Sequence, residues 1–363
     1  MDSNLDFFLG ANTPNGFVSY FKDILVPSEN FTVYLIKGGP GTGKSTFMKT
    51  VARELSPLDP FAEYIYCSSD PASLDGVIFH KLGIAFMDAT PPHEAEPRYP
   101  GAFEIVINLC DLWDEAYLQE SRKNIVMLVD QNKALHERAT RFLAAAGNLL
   151  GDTYRLALEF TDLKKTESAA EKLAAKEIPL KKVRTPKEHR RFLSAVTDGK
   201  ITFFEQTALQ LCSNIFQVDD CYGSFSRTFL ATVRKHALLS GYEIFTCACP
   251  LSPYDKIDHI LIPELSLGFI TTNKITKLSA PPAKLIHHRR FIDKDALRHR
   301  KARISFNKKA ASQLLLEAAR LIKEAKSIHD EIESYYIKAM DFDALHALCD
   351  KTISNIKANI LPS

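Results

Sequence analysis

The segment Gly38-Gly39-Pro40-Gly41-Thr42-Gly43-Lys44-Ser45 satisfies GxxxxGK[ST] at every position. Glycines at this spacing let backbone N–H groups turn inward around an anion, and a helix starting directly behind them adds its partial positive charge. A lysine at Lys44 reaches the β- and γ-phosphates of a nucleoside triphosphate, and a hydroxyl at Ser45 ligates Mg²⁺. The phosphate-binding set is read as Gly39, Pro40, Gly41, Thr42, Gly43, Lys44, Ser45 and Thr46. ATP is the expected nucleotide, although the motif leaves the choice over GTP open. Two aspartates compete for the second Mg²⁺ position, Asp88 and Asp70, each following an apolar run. Lys44, Asp88 and Asp70 form the candidate catalytic group, and Asp70, His93 and Glu94 are the candidates for a base.

These residues need a strand before the loop and a helix after it. Val33–Ile36 is a short apolar, β-favouring run, and "TFMKTVARELS" continues as a helix. Further strands are expected at 62–68 and 83–88. Strands alternating with a crossover helix predict a parallel doubly wound sheet, whose ligands sit at the carboxyl ends of strands. The proline-rich loop 89–101 follows Asp88, either as a cover for the site or as an ordinary connection. From Trp113 onward Leu128, Leu135, Phe142, Leu149 and Leu156 recur every seven residues, the seam of a helix packed on another helix. The seam runs straight through "NIVMLVDQ", which argues against a strand ending at Asp130.

The chain also repeats itself. Gly41, Thr46 and Phe47 recur as Gly223, Thr228 and Phe229 at an offset of 182. Phe8, Leu9, Ala11 and Thr13 recur as Phe192, Leu193, Ala195 and Thr197 at 184. Asp75 and Phe86 recur as Asp258 and Phe269 at 183, and Ala139 and Ala146 as Ala318 and Ala325 at 179. The seam returns as Leu314, Leu321, Ile328 and Tyr335. Matches in one order with slowly drifting offsets are the mark of an internal duplication. In the second copy Lys44 is replaced by Ser226, Ser45 by Arg227, Gly38 by Asp220 and Asp88 by Thr271. The copy is expected to be inactive toward nucleotide, since an aspartate at the Gly38 position repels phosphate. The paired loss of lysine and strand-end acid favours Asp88 over Asp70 as the Mg²⁺ residue. Asp75, retained as Asp258, reads as structural, a helix cap.

A chain of 363 residues suits two domains, expected at 1–185 with a helical hairpin over 113–178, and 186–363 with a hairpin over 292–358. Apolar residues make up 45% and charged residues 25%, and the net charge is +2. That balance gives no bulk-charge support to nucleic-acid or membrane-surface binding. There is neither a signal-peptide pattern nor an apolar run of roughly 20 residues, so the expectation is a cytoplasmic chain without a membrane anchor. Seven cysteines without a CxxC pair read as free thiols. The basic stretch 177–191, with Lys181, Lys182, Arg184, Lys187, Arg190 and Arg191, reads as a solvated linker. It is also the one feature that keeps nucleic acid open, or an arginine reaching the γ-phosphate, a role also open to Arg227. A protein partner is left open as well.

Beyond the loop itself, "GANTPNGF" (10–17), "GGPGTGKST" (38–46), "CSSDPASLDGVI" (67–78), "DATPPH" (88–93) and "YPGA" (99–102) resemble an uncharacterised bacterial family of tandem-repeat P-loop ATPases. The resemblance spans essentially the whole chain. It implies an α/β P-loop NTPase-type fold duplicated in tandem, nucleotide binding and ATP hydrolysis. Ala89 stands where that family usually has glycine, and the ruined second loop puts a two-site mechanism in doubt. A small-molecule kinase and a nucleotide sensor without turnover are the alternatives.

Overall fold

The computed structural model describes residues 4–183, 185–273 and 276–360. The first repeat contains β1 (Leu5–Phe7), β2 (Gly10–Thr13), β3 (Gly16–Ser19), β4 (Thr32–Lys37), α1 (Lys44–Leu55), β5 (Glu63–Tyr66), β6 (Leu74–Phe79), β7 (Ile84–Asp88) and β8 (Glu104–Asn108). Its helical part is α2 (Glu115–Glu120), α3 (Arg122–Leu158) and α4 (Leu163–Glu177). The second repeat opens with β9 (Lys187–Arg191), β10 (Ser194–Val196), β11 (Ile201–Phe203), α5 (Glu205–Leu211), β12 (Asn214–Asp219) and α6 (Ser224–Leu239). It continues with β13 (Glu243–Ala248), β14 (Ile257–Ile262), β15 (Leu267–Thr272), β16 (Lys284–His287), α7 (Lys294–Leu297), α8 (Lys301–Ala339) and α9 (Phe342–Ile360). Among the described residues no helix is long and apolar enough to cross a membrane.

Two six-stranded mixed sheets result, in the orders β1-β5-β6-β7-β4-β8 and β9-β13-β14-β15-β12-β16. The correspondence is strand for strand. Ile36 pairs with Asp88 as Val218 pairs with Thr271, and the bulge between Ile65 and Tyr66 returns between Cys247 and Ala248. The all-parallel expectation needs correction: β6 runs antiparallel to both β5 and β7. The reason is chain length, because only His80–Gly83 connect β6 to β7, and a parallel crossover takes a dozen residues or more. Asp75 consequently lies in a buried strand and caps no helix.

The chain forms two compact units, and they cut across the repeats. Unit 1 is residues 1–10, 19–138 and 320–363; unit 2 is 11–18 and 139–319. The boundary expected at 185 therefore separates repeats rather than compact bodies. In unit 1 the apolar face of α1 (Phe47, Met48, Val51, Leu55) packs with Leu345, Cys349, Ile353 and Ile356 of α9, a helix of the second repeat. In unit 2 Phe225, Phe229, Leu230 and Val233 of α6 pack with Ala170 and Ala174 of α4, a helix of the first repeat. Both faces follow the i, i+4 spacing of a half-buried helix. The heptad seam shifts in detail: Ala139, Leu143 and Ala146 are fully covered, whereas Leu135, Phe142 and Leu149 are half-buried.

The basic segment 177–191 is not a solvated linker throughout. Lys187–Arg191 form β9, the parallel edge partner of β13, with Arg191 wholly buried. Lys181 pairs with Glu264 at 2.7 Å, and Arg184 lies outside the described residues. A strand reading Lys-Glu-His-Arg-Arg has no apolar alternation, so its pairing could come only from tertiary context.

Candidate functional site

In unit 1, β4 lies between β7 and β8, and its carboxyl end leads through residues 38–43 into α1. Gly41 (φ 69°) and Gly43 (φ 87°) adopt the left-handed conformation that turns successive N–H groups to one side. A Cβ at Gly43 would stand 2.5 Å from Leu345 Cδ2, so packing as well as torsion demands glycine. Thr42, fully buried, donates from Oγ1 to the Gly39 carbonyl (2.8 Å) and staples the loop. Lys44 donates from Nζ to the carbonyls of Gly38 (2.8 Å) and Gly39 (2.7 Å) and lies 3.6 Å from Asp88 Oδ2.

Asp88 ends β7 beside the loop strand. Burial pushes its carboxyl above the usual range, opposed by Lys44 and by the hydroxyl of Thr90. Its Oδ1 also accepts the Thr90 N–H at 2.9 Å. Next to it Asp75 Oδ2 lies 2.9 Å from His93 Nε2, both nearly buried. Burial works to lower the His93 pKa, but Asp75 outweighs it, with a further contribution from Asp88, and the net shift is upward. Lys44, Asp88, Asp75 and His93 thus form one charged network under the loop. In unit 2 the counterpart of Asp75 has exchanged its partner: Asp258 contacts Lys256, which overrides the effect of burial and holds the carboxyl below its ordinary range.

The other expected residues fall around this network. Ser45 Oγ accepts the Leu74 N–H at 2.9 Å, and Thr46 is exposed. Asp70 stands apart: it accepts the Ala72 N–H (3.0 Å) and lies 3.3 Å from Lys326 on α8. Glu94 is exposed. The 89–101 loop is tied to the end of β4, because Lys37 donates to the Ala95 carbonyl (2.8 Å) and pairs with Glu96 (2.6 Å).

Sequence reasoning missed the residues that lie on the loop from α8. The carboxylate of Glu333 is held below its usual range, first by His329 and also by the Gly41 N–H, which donates to it. Glu333 is about 33% exposed. The ring of Tyr336 packs against Gly39, close enough that a Cβ there would fall 2.7 Å from it. No local pattern marks either residue; Tyr336 carries only the signal of an aromatic facing Trp113, with ring centroids 5.6 Å apart.

The copied loop in unit 2 is wound up. Gly223 (φ 78°) directly precedes α6, which begins at Ser224, so residues matching Thr42 and Gly43 are helical. The buried Asp220 carboxylate accepts N–H bonds from Tyr222 (2.9 Å), Gly223 (3.0 Å) and Ser226 (2.7 Å). A side-chain carboxylate therefore takes the amides that an anion would need. In unit 1, by contrast, the donor set suits a phosphate chain with Mg²⁺: inward-turned amides, an ammonium with a carboxylate at 3.6 Å, and the Ser45 hydroxyl in the first turn of α1. For a phosphate to use it, Lys44 must leave its two carbonyls and Glu333 must yield the Gly41 amide. No protein-family model, curated protein or solved structure matches this chain.

Proposed function

We propose that the chain is an ATP-binding P-loop protein that hydrolyses ATP with Mg²⁺ in unit 1, the copied phosphate loop of its second half being inactive toward nucleotide. Membership in the tandem-repeat P-loop ATPase family belongs to the same proposal. The observation that carries it is the complete GxxxxGKS segment folded as strand, left-handed glycine loop and helix, with Lys44 at 3.6 Å from the acid ending the neighbouring strand. Residues 39–46 would hold the phosphates, Lys44 the β- and γ-oxygens, and Ser45 with Asp88 the Mg²⁺. Bound Mg²⁺ would neutralise charge on the phosphate oxygens during transfer to water. Asp75 and His93, both buried, would act on Asp88 through their charges.

The test is Lys44→Ala in the full chain, followed by calorimetric titration with MgATP and by phosphate release. Loss of both, with an unfolding transition still present, supports the proposal. Binding and turnover at the parent level would overturn it. Binding without phosphate release by the parent protein would point to a nucleotide sensor, and release only with an added acceptor to a kinase.

A further inference from the structure

Unit 2 contains a cavity of about 1020 Å³ that the proposed function does not use. Its walls are α3 over Ala144–Arg155, the first turns of α6, and the loop Leu251–Asp255 that follows β13. We propose that it is a binding site for a mononucleotide-class ligand, one carrying a phosphate, sugar hydroxyls and a flat ring.

Charge supports the phosphate. Arg227 on α6 donates to Ser252 Oγ at 3.1 Å and lies over the Tyr154 ring at 4.4 Å. Among the described residues no carboxylate pairs with it, and its buried Nε has no hydrogen-bond partner. Arg155 and Lys235 also line the cavity and make no ion pair among the described residues. Guanidinium groups are suited to phosphate by their fixed fork of donors. The two carboxylates in the wall, Glu167 and Asp255, make no ion pair among the described residues and can accept from hydroxyl groups. For the ring, Tyr254 on the lining loop is 70% exposed and offers a stacking face.

The space itself is built by residue choice. Gly147 and Gly151 lie one turn apart inside α3, where glycine is a poorer helix former than alanine. At an offset of 179 the matching residues are Lys326 and Asp330 of α8; in unit 1 Lys326 pairs with both Asp330 and Asp70. Packing accounts for Gly147, since a Cβ there would meet Pro14 at 2.8 Å. It does not account for Gly151, where the nearest atom is Arg155 Nη1 at 3.7 Å. An open cavity wall does. The wound loop nearby is no competitor, because Asp220 already occupies its amides.

The experiment titrates the full-length protein with adenosine monophosphate, ribose 5-phosphate and inorganic phosphate, beside Gly151→Leu and Arg227→Met. Gly151→Leu fills the cavity with a better helix former, so its unfolding temperature should not fall below the parent's. The expected result is saturable binding of adenosine monophosphate, tighter than inorganic phosphate and weakened about tenfold or more by each variant. No binding by the parent would overturn the proposal, as would binding that both variants leave unchanged, which would place the ligand elsewhere. Equal binding of inorganic phosphate and the nucleotide would overturn the ligand class.

Discussion

Replacing Glu333 by glutamine should tighten nucleotide binding. The carboxylate accepts the Gly41 N–H and shares its surroundings with the loop amides that a phosphate would need. The Gly41 N–H is the smallest of the groups that hold this carboxylate below its usual range, so an anion that takes the amide displaces less than the about 1.5–3 kcal/mol of a full hydrogen bond to a charged group. A unit negative charge about 5 Å from a phosphate adds repulsion of about 3 kcal/mol at an effective dielectric of 20. Glu333 is about one-third exposed, so solvent screens much of that repulsion. Glutamine keeps a neutral acceptor and retains part of the Gly41 bond. Together these leave roughly 1.4 kcal/mol, or about a tenfold lower Kd for a triphosphate. Calorimetric titration of parent and Glu333→Gln with a non-hydrolysable ATP analogue measures it directly. Glu333→Asp, which retains the charge on a shorter stem, should fall between the two. Equal or weaker binding by Glu333→Gln would refute the competition and assign the carboxylate a supporting part in the bound state.

Asp88→Asn should abolish Mg²⁺-dependent turnover while sparing metal-free nucleotide binding, because it removes charge beside Lys44 without touching the loop amides. Asp70→Asn, which loses a partly exposed pair with Lys326 at 3.3 Å, should keep activity and cost less than about 1 kcal/mol of stability; the opposite pattern in phosphate-release assays would exchange the two roles. His259 is buried, which lowers its pKa from 6.5 to about 4. Because the unfolded chain binds its proton more readily, stability from this group is complete above pH 6.5 and is lost as pH falls toward 4. The loss comes to about 3 kcal/mol. Denaturant titrations of parent and His259→Phe across that range should show the slope only in the parent, and a slope surviving in the variant would assign it to other groups.

Local order was legible in the amino-acid sequence. The glycines, Lys44 and Ser45 sit within one short segment, and the structure forms strand, loop and helix around them. The repeat was legible because matched residues such as Asp75 and Asp258, or Asp88 and Thr271, keep equivalent sheet positions. The helical parts were legible because their apolar period persists over many turns. The strand β6 (Leu74–Phe79) was not among the expected strands, which lay at 62–68 and 83–88.

What covers those elements was not legible. Periodicity records which face of α1 is apolar, but not that α9, some 300 positions away, packs against it. Composition made 187–191 look like a basic linker, while ladder hydrogen bonds, which depend on backbone rather than side-chain type, made it a strand. Asp75 has the same residue type as Asp258, yet it contacts His93 where the other contacts Lys256, because the partner comes from a different loop in each unit. Glu333 and Tyr336 follow the same logic. Bonding along the chain determines where amides and charges begin, but electrostatic and packing partners are chosen through space, and only the tertiary fold brings a carboxylate of α8 onto the amide of Gly41.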